Sequence, residues 1–137
     1  MDKKKKIITL IVAMAMFCMM SMSALADVDV VVSLPKDQVW TSGYSVSRKA
    51  EDSSVYACCQ SVYPTNGAID TYKRIQARVV NSSGTLIMTT NKVVLEEGGG
   101  YQLLDIKDIY SHLETVYIQF RGNSNAAAEA VVAYFSL

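Results

Sequence analysis

The chain has 137 residues, half of them hydrophobic, with 13 basic and 13 acidic side chains and a single histidine. The zero net charge conceals an asymmetry: Lys3 to Lys6 and Asp2 lie in an N-terminal leader, and without it 9 basic residues face 12 acidic ones. A mildly acidic domain lacks the many Lys and Arg contacts that tracking a phosphate backbone requires, which excludes nucleic acid as a partner.

The leader reads as a secretory signal peptide covering residues 1–26. MDKKKK is a positive first region, Ile7 to Met22 is an uncharged apolar run, and Ala24-Leu25-Ala26 supplies small residues before Asp27. The rival is an uncleaved anchor, but the apolar run has 16 residues, and a helix crossing a bilayer takes about 20. Cys18 reads as an ordinary apolar residue of that run. Cleavage leaves residues 27–137 as one secreted domain, bacterial in character, with no stable membrane insertion.

That domain predicts eight strands in chain order. Val28 to Leu34 is β-branched and stops at Pro35. Tyr44 to Arg48 alternates after Gly43. Val55 to Tyr63 is rich in β formers and runs into Pro64-Thr65-Asn66-Gly67. Tyr72 to Asn81 alternates up to the turn Ser82-Ser83-Gly84. Thr85 to Leu95 follows, ending before Gly98-Gly99-Gly100. Tyr101 to Ile106 is short, Thr115 to Arg121 alternates, and Ala126 to Leu137 closes the chain. Short strands with regularly spaced turn signals predict an all-β fold, an antiparallel β-sandwich of seven to nine strands. Asp108 to Glu114 reads as a helical turn or two. Ala126 to Ala130 has helix propensity, but Val131, Val132, Tyr134 and Phe135 follow at once, so a terminal strand is the better reading.

Two segments echo each other. Ile75-Gln76-Ala77-Arg78 resembles Ile118-Gln119-Phe120-Arg121. Alternation sends Ile75, Ala77, Val79, Val116, Ile118 and Phe120 to a core, and Gln76, Arg78, Tyr117, Gln119 and Arg121 outward. If the two strands pair, Gln76, Arg78, Gln119 and Arg121 form one polar stripe that is either a solvated face or a ligand-facing one.

Cys58 and Cys59 are adjacent. Neighbouring Cα atoms are about 3.8 Å apart, below the ordinary disulfide range, and a strand points the two side chains to opposite faces. The expectation is two unbonded thiols. Tyr56, Cys58 and Val62 would share one face, and Val55, Ala57, Cys59 and Tyr63 the other, more apolar one. Cys59 would then be the more buried, leaving Cys58 for an intermolecular contact such as a homo-oligomer.

The remaining candidates are weak. His112 stands alone, with no second histidine and no Cys-x-x-Cys to make a metal site. Glu96 and Glu97 point apart in a strand and read as a solvated loop. Gly98 to Gly100 lacks the lysine and the helix of a phosphate loop. No cofactor is implied. Trp40 and Tyr44 are either core residues or exposed rings for stacking a ligand, with the core the better reading for a lone tryptophan. The segment Trp40-Thr41-Ser42-Gly43-Tyr44-Ser45-Val46-Ser47 resembles the Trp-x-x-Gly-Tyr-x-Val-Ser pattern of lactococcin-type β-sandwich bacteriocins. Over those eight residues the resemblance implies an exported toxin-like protein. Without convergent acid, base or nucleophile, the expectation is a secreted, non-enzymatic domain that binds an extracellular ligand or protein, with a bacteriocin-like toxin and a carbohydrate-binding module as alternatives.

Overall fold

Residues 29–48, 54–66, 69 and 72–137 are described by a computed structural model. The leader and its cleavage site lie outside them. Eight strands form two four-stranded antiparallel sheets. They are β1 (Val30–Leu34), β2 (Tyr44–Ser47), β3 (Val55–Pro64), β4 (Arg74–Val80), β5 (Val93–Glu96), β6 (Gln102–Leu104), β7 (Thr115–Gly122) and β8 (Ala128–Ser136). The first sheet has the order β1-β8-β3-β6 and the second β2-β7-β4-β5. Only β4 and β5 are successive in both chain and sheet, so every other connection carries the chain from one layer to the other. No helix among the described residues is long and apolar enough to cross a membrane.

Alternation builds the core. Val32, Leu34, Val55, Ala57, Cys59, Ala130 and Val132 come inward from the first sheet. Ile75, Ala77, Val79, Leu95, Val116, Ile118 and Phe120 meet them from the second. Phe120 is the bulkiest fully buried side chain, and burying a ring of that kind contributes about 1.5–3 kcal/mol. Tyr44 and Tyr134 pack toward Phe120, with ring centroids 5.9 and 6.4 Å from it. At the rim, Gly122 leaves room for the Tyr72 hydroxyl, which a Cβ there would strike. That hydroxyl accepts from Ser124 N at 3.3 Å and lies within donating distance of the Ser124 and Ala126 carbonyls.

Three expectations change. Thr85 to Leu95 is not one strand. Only bridges at Ile87 and Thr89 and the short β5 form there, because Thr90-Asn91 turns the chain and Thr90 N donates to Asp105 O instead. The helical turn reduces to one 3-10 turn, Asp108–Tyr110. It is held from outside by the buried Arg48, whose Nη1 donates to the Ser111 and Leu113 carbonyls at 2.8 and 2.9 Å.

The third change lies in β3. The register against β8 slips between Cys59 and Ser61, and a bulge adds one residue to one strand, so the inward face is reset beyond it. Val62 is therefore fully buried while Tyr63 is 44% exposed, the reverse of simple alternation. Glu97 closes the defect. Its Oε1 accepts from Val62 N at 3.2 Å, and Gly98 N donates to Cys59 O at 2.9 Å. Glu97 also sits 3.6 Å from Lys73 Nζ. It is thus a stitch between the sheets and not part of a solvated loop, whereas Glu96 faces out beside Arg74.

Candidate functional site

The two echoing segments are β4 and β7, and they pair directly, with Gln76 opposite Arg121 and Arg78 opposite Gln119. Their outward side chains form one continuous polar stripe. Each arginine is held by the glutamine across from it. Arg121 Nε donates to Gln76 Oε1 at 2.6 Å, and Arg78 Nε donates to Gln119 Oε1 at 2.9 Å. Gln76 Nε2 passes the network on to Asn123 Oδ1 at 3.0 Å. Gln119 is outward-facing yet only 8% exposed, because the Gly84 turn lies against its amide.

Over this stripe stands Trp40. It is half-buried on the outside of the second sheet and does not belong to the core cluster, which corrects the reading of the lone tryptophan as core filling. Arg78 Cζ lies 4.2 Å and Arg121 Cζ 4.6 Å from its ring centroid. Two guanidiniums share one indole, each contact being worth roughly 0.5–1 kcal/mol when exposed and more when desolvated.

The crossing from β1 to β2 puts Trp40 there. Asp37 and Gln38 both take positive φ, 63° and 57°, a left-handed conformation uncommon outside glycine. Asp37 N is tied to Asn125 O at 2.8 Å. Beyond Trp40, Thr41 grips β7 from both sides: its N donates to Phe120 O at 2.9 Å, and its Oγ1 accepts from Phe120 N at 3.1 Å. Backbone strain of this kind persists where surrounding structure over-determines it and is enriched at binding sites. Gly43 lets the segment close on β7, since a Cβ there would lie 2.8 Å from Tyr117 Cβ. Tyr44, a candidate ligand contact in the sequence, turns inward to Phe120 and Tyr134 and leaves the stripe.

Beside Trp40 opens a hollow of about 480 Å³, lined by Trp40, Arg78, Arg121, Lys92, Lys107, Thr89, Thr90, Asn91 and Ile87. Among the described residues, four cations and no carboxylate line it. Among the described residues none of the four forms an ion pair, and the ion pairs present are Lys73–Glu97 and Arg74–Glu96. Lys107 Nζ reaches only the Ile87 carbonyl, at 3.5 Å. Burial, and then the charge of Arg121, lower the Arg78 pKa, although a guanidinium remains charged throughout the physiological range. The result is a concentration of positive charge with hydroxyl and amide groups around it, and the Asp105 carboxylate stands one hydrogen bond behind Thr90. Lys92, Lys107 and the Thr89–Asn91 wall escaped the sequence reading, because they lie in irregular loops without a motif.

A second hollow, of about 340 Å³, is lined by Arg48, Asp105, Asp108 and Ser111 among others. Its guanidinium is occupied by backbone carbonyls, so it closes a loop and offers little to a ligand. Cys58 and Cys59 form no disulfide. Cys59 is fully buried, and its Sγ–H points to Ser61 O at 3.5 Å. Burial, with smaller contributions from Glu97 and Cys58, pushes its pKa up to about 12, far from the range of a reactive thiolate. Cys58 is on the outward side of β3 but only 6% exposed. His112 is exposed, and among the described residues no three His, Cys, Asp or Glu side chains converge.

No family model matches this chain, and neither a curated protein nor a solved structure matches it.

Proposed function

We propose that this chain is a secreted, non-enzymatic binding module whose ligand-binding face is the Trp40-covered stripe of the second sheet, and that its ligand is anionic. One observation carries the reading: four cationic side chains line a single hollow without a carboxylate among them, and two of them stack on the only tryptophan. A cleft lined by one sign of charge focuses the field and concentrates counter-ions, and guanidiniums match the geometry of carboxylate and phosphate groups. The net acidity of the domain does not oppose this, because the charge is local to one face.

The stripe is preorganised, since glutamines fix both guanidiniums before any ligand arrives, and preorganisation lowers the ordering cost of binding. The lone tryptophan makes the test direct. Titrating the purified protein with anionic and neutral polymers while following Trp40 emission should show saturable changes with anions alone, weakened by added salt. Saturable binding that leaves Trp40 emission unchanged, and survives replacement of Arg78 and Arg121, would refute this site.

A further inference from the structure

The geometry points to an acidic glycan as the ligand, with a uronate-type carboxylate held by the Arg78 and Arg121 guanidiniums and the neighbouring sugar hydroxyls met by Thr90 and Asn91. This inference rests on the binding-module reading above and adds the class of ligand.

The atoms available set the class. Each guanidinium spends its Nε on a glutamine, 2.9 Å for Arg78 and 2.6 Å for Arg121. The structure gives their terminal nitrogens no acceptor among the described residues, so two forks stay unused. A planar fork of N–H donors matches a carboxylate bidentately, which a point-charge ammonium does not. The rest of the wall is unlike a simple anion trap. Asn91 makes no hydrogen bond among the described residues, and Thr90 Oγ1, donating to Asp105 at 3.1 Å, keeps lone pairs to accept with. Such groups suit a polyhydroxylated ligand. Half-buried Trp40 adds an apolar ring surface, which complements the C–H bonds of a pyranose.

Size and charge count narrow it further. A hollow of about 480 Å³ falls in the range of pockets that enclose small molecules or short oligomer segments. Four cations around one hollow offer too short a basic track for a nucleic-acid backbone, which needs a longer electrostatic groove with successive stacking rings. Lys92 and Lys107, on loops opposite the stripe, are placed to meet a second acidic unit of the same chain.

The experiment titrates the purified protein with trigalacturonate, with maltotriose as a neutral trisaccharide, and with short-chain polyphosphate, reading Trp40 emission and calorimetric heat. Trigalacturonate should bind and maltotriose should not. Arg78→Gln should weaken trigalacturonate roughly tenfold or more, the scale of one lost charge-assisted contact. Arg78→Lys, which keeps the charge and loses the fork, should lose most of the same affinity. Thr90→Val and Asn91→Ala should weaken the uronate without changing what little affinity the protein has for polyphosphate. Melting of each variant within a few degrees of the parent establishes that the fold is kept.

Maltotriose binding as tightly as trigalacturonate, with arginine dependence, overturns the acidic class and leaves the module reading standing. Polyphosphate binding more tightly than trigalacturonate overturns the glycan assignment in the same way. No arginine-dependent binding of any of the three overturns this inference, and failure of every anion in the wider panel overturns the module reading as well.

Discussion

The two sheets present opposite outer faces built by the same alternation rule. On the first, Tyr56 stacks on Phe135 with centroids 5.2 Å apart, and Tyr101 meets Phe135 edge-on at 4.9 Å. Rings satisfy rings there. On the second, Gln76, Arg78, Gln119 and Arg121 satisfy one another only at their inner atoms, leaving charged ends beneath Trp40. The first face is closed on itself, and the second is complete only at its base. The difference teaches where each face should register damage: the first in stability, the second in ligand affinity.

The largest effect tests the closed face. Phe135 touches both Tyr56 and Tyr101, so Phe135→Ala should cost about 2–3 kcal/mol, combining lost apolar area with two ring contacts. Urea unfolding would show it, and ligand affinity should not change. A loss of affinity equal to that of the arginine variants would merge the two faces into one functional unit.

Next comes the core beneath the closed face. Cys59→Ser places a hydroxyl among apolar neighbours, but Ser61 O stands ready to accept it. The cost should therefore be about 1 kcal/mol, the low end for a buried hydroxyl. The pH dependence follows from the thiol. Folded Cys59 keeps its proton to about 12, whereas its ordinary value is 9.0. The unfolded chain therefore binds fewer protons through that window, and stability falls as pH rises from 9 toward 12. Its full contribution is present below pH 9. The gap between parent and Cys59→Ser should accordingly narrow above pH 9, which subtracts the tyrosines that titrate in both.

The open face should give the smaller stability change. Arg78→Ala with Arg121→Ala removes two cation–π contacts and two side-chain hydrogen bonds, all at a partly exposed surface. Unfolding free energy should fall by about 1 kcal/mol, the low end for two such contacts at a partly exposed surface. Trp40 emission should shift red as its guanidinium cover is lost. A stability loss matching Phe135→Ala would mean that the stripe is a structural clasp.

What the sequence made legible follows this division. The inward pattern of β4 and β7 is readable because Ile75, Ala77 and Val79, and Val116, Ile118 and Phe120, alternate without interruption; that the two echoing strands are neighbours in one sheet comes from the structure. The stripe is a direct consequence. Trp40 is not readable, because its position depends on two left-handed residues and on Thr41 gripping β7 across 79 positions of sequence. The bulge is hidden for a similar reason: its stabilising partner, Glu97, lies 35 residues from Val62. Lys92 and Lys107 reach the hollow from loops whose paths are fixed by isolated bridges such as Thr89 to Ile106. Periodicity reports local alternation, and each of these features is set by a distant contact.

The smallest effect concerns the thiol beside the deep one. Cys58 lies on the outward side of β3, opposite Ala133, yet is 6% exposed. Cys58→Ser puts a hydroxyl into a site that is itself nearly closed to water, so it should cost about 0.5 kcal/mol, below Cys59→Ser because Cys58 stands outside the inter-sheet core. The contrast between adjacent positions isolates the consequence of strand alternation, since the two differ in facing and not in neighbourhood along the chain. Chemical reactivity gives a second readout. In the native protein at pH 8, iodoacetamide should modify Cys58 slowly and Cys59 not at all, with both reacting once the chain is unfolded. Mass spectrometry of digested samples would separate the two sites in their common peptide by fragmentation. Equal stability costs together with equal protection would show that β3 buries both faces alike, and the first sheet would then be covered on its outer side by something more than its own rings.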